Sequence, residues 1–440
     1  MKKHLSVVLV LVIVAGLLLP GDVQAFGSLP PGFADREVVP GISKPTSIAW
    51  LPNDTMLVTS QNGQVFRDNG GAAVSILNLG NAVCVGNETG LLGMAVDPNF
   101  PAQPFVYLYY THHKGGGSCN DAANRANRVS RFTMDGAQNL GSEQVLLDNI
   151  SAKGGNHNGG DLQFGKDGLL YISVGDAGQD LATGEGQDGN ANARRLSLLN
   201  GKILRITPEG GIPASNPFTG PGSAPCAAAG RTSQAGANVS AEKRSKKAKK
   251  QKRQKQRKKK KKRRQLRGAP ICQEIFATGL RNPYRIAFDP DDGTNNQRFF
   301  INDVGGSAWE EIDEGAAGAD YGWNVREGPC RVGATSNCDP DGRFTGPLFA
   351  YTHQDGCSVI TGGAFVPNGP AWPSEFHGQY LFADLGCQTL FAISDQNPGA
   401  SATVFGTGSS ATHLAFGPDG QLYYTDFGTN AVHKIVYSGS

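Results

Sequence analysis

A histidine and an aspartate flank a predicted β-hairpin in the first half of the 440-residue chain. The hairpin lies within residues 154–179 and has apolar residues at alternate positions on both sides of a Gly-Lys-Asp-Gly turn. Lys166 and Asp167 of the turn lie midway between His157 and Asp176, so strand pairing brings the imidazole and the carboxylate to the same end of the hairpin. A histidine general base needs such a partner.

The same hairpin module recurs six times along the chain. Each copy combines aliphatic and aromatic residues, a turn with Gly, and a second strand rich in Tyr and Phe. The copies begin at Ser47, Gly93, Asp161, Arg285, Gly362 and His413. Units of this size cannot bury their own faces, and the 60 glycines and 25 prolines suit many tight turns. We therefore predict an all-β fold, a six-bladed β-propeller with a disordered basic insertion; a pair of β-sandwiches is the alternative.

The ends of the modules carry the polar residues that could form a site. Propellers place binding and catalytic groups on loops around a central channel. His157, Asp176, Arg281 and Asp303 each lie just before or after a module. We expect them to converge at one end of the channel.

The N-terminal segment and the cysteines indicate export. Residues 1–25 combine two lysines, a long apolar run, and Val23 and Ala25 before a cleavage position, as in a secretory signal peptide; an uncleaved anchor is the alternative. Eight cysteines in an exported chain favour disulfides. Proximity along the chain suggests the pairs Cys84 with Cys119, Cys226 with Cys272, Cys330 with Cys338 and Cys357 with Cys387. We predict a secreted or extracytoplasmic propeller spanning residues 26–440.

A basic low-complexity insertion, residues 227–270, interrupts the predicted propeller. The net charge of +3 conceals it: 18 of the 41 Lys and Arg residues lie between Lys243 and Arg267, a stretch without an acid, so the rest of the chain is acidic. Such a segment repels itself and has little to bury, which predicts disorder. It is suited to contact an anionic cell-surface polymer or lipid, and no specific nucleic-acid partner is expected. A solvated loop without a partner is the alternative.

Four stretches together resemble the glucose/sorbosone dehydrogenase family. They are ETGLLGMAVDPNF from Glu88, NHNGGDLQFGKDG from Asn156, GLRNPYRIAFDP from Gly279 and INDVGGSAWEEIDEGAAGADYGW from Ile301. The best-known members are soluble aldose dehydrogenases that use pyrroloquinoline quinone (PQQ). The resemblance implies an oxidoreductase that converts the anomeric carbon of an aldose to a lactone and passes electrons to an unknown acceptor.

The resemblance also implies roles for individual residues. His157 matches the general base, which takes the proton of the anomeric hydroxyl as hydride leaves the same carbon for the quinone. Asp176 matches the carboxylate that orients this base. Arg281 and Asn282 match residues that face the cofactor, and a guanidinium at Arg281 suits the charge that grows on a quinone oxygen. Glu88 stands where the family carries an amide and is assigned to the cofactor site; an ion-paired surface role is the alternative for Arg281.

Two calcium ions are implied in the same way. One is held by the main-chain oxygens of Gly305 and Gly306 next to the quinone, and the other by Glu311 and the main-chain oxygen of Tyr321. Hard oxygen ligands favour calcium over zinc. An ordinary acidic turn at Glu311 is the alternative.

Other stretches depart from the PQQ enzymes. SSATHLAFGPDG near the C-terminus lacks the arginines that hold the PQQ carboxylates, and QYLFADLGCQTLFAI lacks an expected lysine. A site without these cations binds three carboxylates poorly. GWNVREGPC and ITGGAFVPNG resemble the Hedgehog-interacting-protein-like branch of the superfamily. Two other functions therefore stay open: a non-catalytic calcium-stabilised propeller that binds glycans or a partner protein, and a calcium-dependent lactonase.

Overall fold

Short, largely buried strands joined by tight turns make up almost all of the regular structure. The computed structural model describes residues 26–186, 189–226, 270–293, 297–338, 341–394, 397, 399 and 401–439. The predicted signal peptide and almost all of the predicted basic insertion, residues 227–269, lie outside these ranges. In the described part, helices are limited to single 3-10 turns at Gly80–Ala82, Ala122–Asn124, Asn192–Arg194 and Ser374–Phe376. None of them is long and apolar enough to cross a membrane.

Six four-stranded antiparallel sheets form the blades, and each is given from its innermost to its outermost strand. Blade 1 contains β2 (Pro45–Trp50), β3 (Met56–Ser60), β4 (Gln64–Asp68) and β5 (Ala73–Asn78). Blade 2 contains β6 (Leu91–Val96), β7 (Phe105–His113), β8 (Arg125–Met134) and β9 (Leu140–Ser151). Blade 3 contains β10 (Leu162–Phe164), β11 (Leu170–Val174), β12 (Lys202–Ile206) and β15 (Ile275–Thr278).

The second half of the chain supplies the other three blades. Blade 4 contains β16 (Pro283–Phe288), β17 (Phe299–Asp303), β18 (Trp309–Glu314) and β21 (Phe349–Thr352). Blade 5 contains β22 (Ile360–Phe365), β23 (Gln379–Asp384), β24 (Thr389–Ser394) and β25 (Thr403–Thr407). Blade 6 contains β26 (Ala411–Phe416), β27 (Leu422–Asp426), β28 (Ala431–Tyr437) and β1 (Phe33–Val39). Two short pairs are additional: β13 (Ser223–Ala224) with β14 (Ile271–Cys272), and β19 (Arg326–Glu327) with β20 (Cys330–Arg331).

The ring is closed by the two ends of the described chain. β1 pairs with β28, from Phe33 opposite Tyr437 to Val39 opposite Val432, so an N-terminal strand completes the last blade. The innermost strands β2, β6, β10, β16, β22 and β26 each contact the next around the ring. Each of the six predicted modules forms the inner two strands of one blade, which confirms the six-bladed propeller.

The core consists of layers between adjacent blades. Six clusters of buried apolar side chains were found among the described residues, one at each blade-to-blade interface. Tyr109 of blade 2 and Leu170 of blade 3 belong to one cluster, for example, and Ile48 of blade 1 and Val432 of blade 6 to another. Because a blade is covered on both faces, strands such as β11 and β12 are buried at every residue.

Disulfides connect the loops and bracket the basic insertion. All four predicted pairs are present: Cys84–Cys119, Cys226–Cys272, Cys330–Cys338 and Cys357–Cys387. The Cys226–Cys272 bridge lies beside the parallel pair of β13 and β14, between β12 and β15. The ends of the insertion are therefore held together on blade 3.

One end of the propeller collects two kinds of loop. The connections between blades enter each innermost strand at this end, and the turns between the second and third strands lie there too, because antiparallel strands reverse direction. His157 and Arg281 are on blade-to-blade connections, whereas Asp176 and Gly305 are on second-to-third strand turns. This topology explains how residues distant in sequence reach one site.

Candidate active site

The His157 and Asp176 side chains form a buried hydrogen-bonded pair. Nδ1 of His157 lies 2.8 Å from Oδ1 of Asp176, as the hairpin geometry predicts. Only 4 % of the His157 side chain is exposed, and that of Asp176 is fully buried. A carboxylate accepts hydrogen bonds, so Nδ1 carries the proton when the ring is neutral. This tautomer leaves Nε2 as the nitrogen that can accept a proton.

The backbone around the pair is held in an unusual conformation. His157 has a φ of 51° and Ala177 a φ of 70°, both in the left-handed region that side chains with a Cβ seldom adopt. Gly175 leaves no room for a side chain, since a Cβ there would collide with the main-chain oxygen of His157. The glycines around His157 thus allow two loops to approach closely enough for the side chains to pair.

Asp176 is fixed from three further directions. Its Oδ1 also accepts from the Gly178 N–H (2.8 Å), its Oδ2 accepts from the indole N–H of Trp323 (2.8 Å), and its own N–H donates to the Arg281 carbonyl (2.8 Å). The Arg281 guanidinium carbon lies 5.5 Å from the centroid of the Trp323 ring. Trp323 therefore connects the carboxylate that orients His157 with the guanidinium beside it.

Glu88 links three blade-to-blade connections. Its Oε2 accepts from the His157 N–H (2.7 Å) and from the Asn282 side-chain amide (3.2 Å), and its main-chain oxygen accepts from Asn158 Nδ2 (3.2 Å). Asn282 Oδ1 in turn accepts from the Gly159 N–H (3.0 Å). The loops that enter blades 2, 3 and 4 are fastened to one another next to the imidazole.

A cavity of about 480 Å³ opens at the centre of the ring. All six blades or their connections contribute to its wall, which is lined by Thr46, Gln61, Asn87, Glu88, Leu92, Asn156, His157, Gly159, Arg281, Asn282, Tyr284, Arg285, Val304, Gly305, Gly306, Ser358, Val359, Thr361, Leu385 and Phe427. The wall contains amide, hydroxyl and charged groups, and also the aromatic rings of Tyr284 and Phe427. This lining and volume suit a small polar molecule.

Asp303 holds the main chain of the loop that carries Arg281 and Asn282. Its carboxylate accepts from the N–H groups of Arg281 (2.8 Å) and Asn282 (2.6 Å), and the Arg281 guanidinium donates to the Val304 carbonyl (3.0 Å). Burial raises the pKa of Asp303 to about 7, although these N–H groups oppose the shift. The guanidinium of Arg281 is thus held at the cavity wall by main-chain contacts.

Asp303, Glu311 and Asp313 form a buried cluster of carboxylates. Asp303 faces Glu311 across β17 and β18, and Asp313 follows Glu311 on the same side of its strand. Their ligand atoms lie within 4.8 Å of one another, and neither oxygen of Asp313 has a hydrogen-bond partner within the described chain. Burial, together with the neighbouring carboxylates, raises the pKa of Glu311 and Asp313 well above the usual range. Three oxygen ligands that repel one another suit a hard cation such as calcium.

The four predicted metal-site residues divide between two places. Gly305 and Gly306 lie on the cavity wall beside Arg281, where Glu327 Oε1 accepts from the Gly306 N–H at 2.9 Å. Glu311 belongs to the carboxylate cluster. The Tyr321 side chain is buried, and its hydroxyl donates to the Glu314 carbonyl (2.5 Å); burial and then the charge of Asp313 raise the pKa of this hydroxyl. The assignment of these residues to two calcium sites stays a prediction.

Sequence reasoning missed Trp323 and Asp313. The spacing of Glu311 and Asp313, two residues apart on a strand, together with Asp303 at the end of the preceding strand, was a signal that could have revealed the cluster. No comparable signal existed for Trp323, which lies 147 residues from Asp176. The packing of blade 4 against blade 3 brings these two residues together.

Replacement of Trp323 by Phe is expected to reduce turnover about tenfold. The variant leaves Asp176 Oδ2 buried without its donor, which costs about 1–3 kcal/mol and loosens the orientation of His157. Trp372→Phe is the matched control, since its indole N–H donates to Gln421 Oε1 at 3.2 Å in blades 5 and 6. Steady-state kinetics and melting temperatures of both variants separate the two effects; equal kcat values would show that Trp323 does not position the base.

The fold and site define a six-bladed propeller with an imidazole–carboxylate pair in a polar central cavity. The chain belongs to the glucose/sorbosone dehydrogenase family, whose model, described as Glucose / Sorbosone dehydrogenase, matches residues 42–245 and 262–432. Residues 246–261, in the middle of the basic segment, fall outside the match.

The relatives include proteins named as dehydrogenases and proteins whose names do not indicate an enzyme. The chain is 24 % identical to aldose sugar dehydrogenase YliI of Escherichia coli K12 over 404 residues, which cover 90 % of each protein. It is 25 % identical to the HIPL2 protein of Arabidopsis thaliana over 72 % of this chain and 45 % of that protein. The fold matches the PQQ-bound aldose sugar dehydrogenase of Streptomyces coelicolor with a TM-score of 0.62, at 22 % identity, over 93 % of this chain and 99 % of that one.

Proposed function

We propose that this protein is a secreted sugar dehydrogenase that oxidises the anomeric carbon of aldoses to lactones, with PQQ as cofactor and calcium as its metal. The observation that carries the proposal is the His157–Asp176 pair on the wall of a polar cavity. Family membership and the likeness to a PQQ-bound aldose sugar dehydrogenase support it. Sugar oxidation of this kind removes two electrons and two protons from the substrate.

His157 acts as the general base in this proposal. Its Nε2 takes the proton of the anomeric hydroxyl, and Asp176 stabilises the imidazolium that forms. The Asp176 carboxylate accepts hydrogen bonds from His157, Gly178 and Trp323, which fix its position. Arg281 then supplies positive charge at the wall where the reacting carbon loses its hydride.

The residues present fit both absent groups. When bound, PQQ would supply a two-electron acceptor, and calcium would supply positive charge that favours reduction of the quinone. Arg281 and Asn282 would hold the quinone, with Glu88 keeping the loop of Asn282 in place. Gly305 and Gly306 would offer main-chain oxygens to one calcium ion. Glu311 and Tyr321 would serve the second ion together with the unpaired oxygens of Asp313.

Titration of the calcium-loaded protein with PQQ by calorimetry, paired with dye reduction on a panel of aldoses, tests the proposal. Micromolar or tighter binding and aldose-dependent dye reduction are expected. Lactone opening without PQQ would instead identify a lactonase. Absence of both binding and dye reduction would contradict the proposal.

A second candidate is a non-catalytic calcium-stabilised propeller that binds glycans or a partner protein. The observation that favours it is the composition of the wall opposite His157. In the part of the chain that is described, blades 5 and 6 and their connections contribute Ser358, Val359, Thr361, Leu385 and Phe427, and none of these is a cation. Glycan retention without turnover would support this candidate.

The basic segment is proposed to tether the exported protein to an anionic surface polymer or lipid. Four disulfides support an extracytoplasmic location. Deletion of residues 243–267 removes 18 positive charges and is expected to abolish salt-sensitive adsorption to anionic vesicles while leaving turnover unchanged. Co-sedimentation at low and high salt measures the first effect. Unchanged adsorption would refute the tether, and lost turnover would show that the segment serves the site.

A further inference from the structure

Arg285 crosses the central channel at the wall of the cavity. It lies on β16 of blade 4, yet its guanidinium reaches the innermost strands of blades 1 and 2, where Nη2 donates to the Thr46 carbonyl (2.5 Å) and the Leu92 carbonyl (3.3 Å). Nη1 donates to the Tyr284 carbonyl (3.2 Å). Only 2 % of the residue is exposed. Three main-chain oxygens therefore fix a buried cation in one position on the cavity lining.

The charge of Arg285 has no carboxylate in direct contact. Neither Arg285 nor Arg281 lies within 4.0 Å of an acidic oxygen in any ion pair found among the described residues, and the Nε of each is buried without a hydrogen-bond partner. Carbonyl dipoles stabilise a guanidinium less than a carboxylate does. Two such cations line one cavity.

Within the described ranges, the nearby acids Asp161, Glu88 and Asp303 make no ion pair with either guanidinium; Asp303 contacts the main-chain N–H of Arg281 (2.8 Å) instead. Asp161 is close enough for Arg285 to lower its pKa, but burial outweighs this effect and raises the pKa. The Asp161 oxygens accept from the N–H groups of Leu162 and Ile286 instead. Glu88 directs one oxygen to His157 and Asn282, on the imidazole side of the cavity. Glu88, Arg281 and Arg285 thus line the same cavity, and no ion pair of the described residues joins either guanidinium to the Glu88 carboxylate.

We infer that Arg281 and Arg285 form a binding site for a carboxylate group in the central cavity, and that Arg285 supplies the cation that blades 5 and 6 lack. The inference rests on the proposed function for one source of the carboxylate, the PQQ cofactor. A second source is the substrate, if this is an aldose with a carboxylate, a uronic acid. In either case the sugar hydroxyls meet the part of the cavity wall that carries His157.

Calorimetry on the full-length, calcium-loaded protein tests the inference by affinity. The probes are PQQ, its uncharged trimethyl ester, glucuronate and glucose. Arg285→Met removes the charge, Arg285→Lys keeps it, and Arg36→Met is the control because Arg36 is exposed on the outermost strand of blade 6. Melting temperatures show whether each variant is folded.

We expect at least tenfold tighter binding of one carboxylate probe than of its neutral counterpart in the unmodified protein. Arg285→Met should lose this preference, Arg285→Lys should keep most of it, and Arg36→Met should not change it. Preference for PQQ over the ester identifies the cofactor as the source, and preference for glucuronate over glucose identifies the substrate. The second result would support the inference even if PQQ fails to bind and the proposed cofactor is wrong. The inference would be overturned if the unmodified protein showed no preference for PQQ over its ester and none for glucuronate over glucose. This result does not depend on any variant.

Discussion

Replacement of His157 by Asn is expected to lower kcat for aldose-dependent dye reduction by about 10³-fold. General-base catalysis by a positioned side chain contributes about 10²–10⁴-fold, and the Asn amide cannot accept the proton. Asn is the sharper substitution than Ala, because residue 157 has a φ of 51° and Asn tolerates the left-handed region. The amide can also keep a hydrogen bond to Asp176, so the loops should stay in place.

The control for this variant is His377→Asn. His377 lies in the connection between β22 and β23, at the opposite end of the propeller from the site, and its Nε2 contacts the Trp372 carbonyl at 3.0 Å. Stopped-flow and steady-state kinetics on both variants, with PQQ affinity measured separately, isolate the chemical step. If His157→Asn binds PQQ and turns over at the unmodified rate, His157 is not the base.

Among these predictions, removal of calcium is expected to cause the largest decrease in the free energy of unfolding. Without a cation, the carboxylates of Asp303, Glu311 and Asp313 lie close together in a buried space, and both oxygens of Asp313 lack a hydrogen-bond partner among the described residues. An ion that binds only the folded state adds about 2.7 kcal/mol at 100 times its dissociation constant. Thermal unfolding with calcium and with a chelator should therefore show a clear drop in melting temperature on chelation.

The calcium effect should also depend on pH. The folded metal-free protein holds a proton on Asp303 up to a pKa of about 7, whereas the unfolded chain releases it near 3.8. Between these values the folded state binds more protons, so the stability of the metal-free protein decreases as the pH rises towards 7. Calcium competes with these protons. The gain in melting temperature from calcium should therefore increase from pH 6 to pH 8.

The Asp313→Asn variant distinguishes calcium bound at the carboxylate cluster from calcium bound elsewhere. The substitution removes one of the repelling charges, so the calcium-dependent gain should shrink. The matched control is Asp419→Asn, in the turn between β26 and β27, where the carboxylate contacts Tyr423 and Lys434 at the surface. Identical melting curves of the unmodified protein with calcium and with chelator would contradict a cation at the cluster.

Local sequence patterns predicted the blades, the His157–Asp176 pair and the disulfides, because each depends on residues that are close together in the sequence. The hairpin modules set the number of blades, since each supplies the two inner strands of one sheet. The turn between His157 and Asp176 set their pairing by strand register alone. The cysteine pairs followed from separations of 8 to 46 residues along the chain.

Contacts between different blades could not be predicted from local sequence patterns. Arg285 meets Thr46 over 239 residues of sequence, and Trp323 meets Asp176 over 147. The first contact depends on the closure of the ring by β1 and β28, and the second depends on the packing of blade 4 against blade 3. Neither leaves a periodic pattern in one chain. The sequence showed that the C-terminal arginines are absent. It did not show that Arg285 crosses the channel from blade 4.

The visible absorbance of the calcium- and PQQ-loaded protein, recorded before and after addition of an aldose, tests the central claim most directly. We predict that the absorbance of the bound quinone bleaches in the unmodified protein, and that His157→Asn retains the same absorbance but fails to bleach. Equal bleaching in both proteins, or no bound quinone in the unmodified protein, would contradict a PQQ-dependent sugar dehydrogenase with His157 as its base.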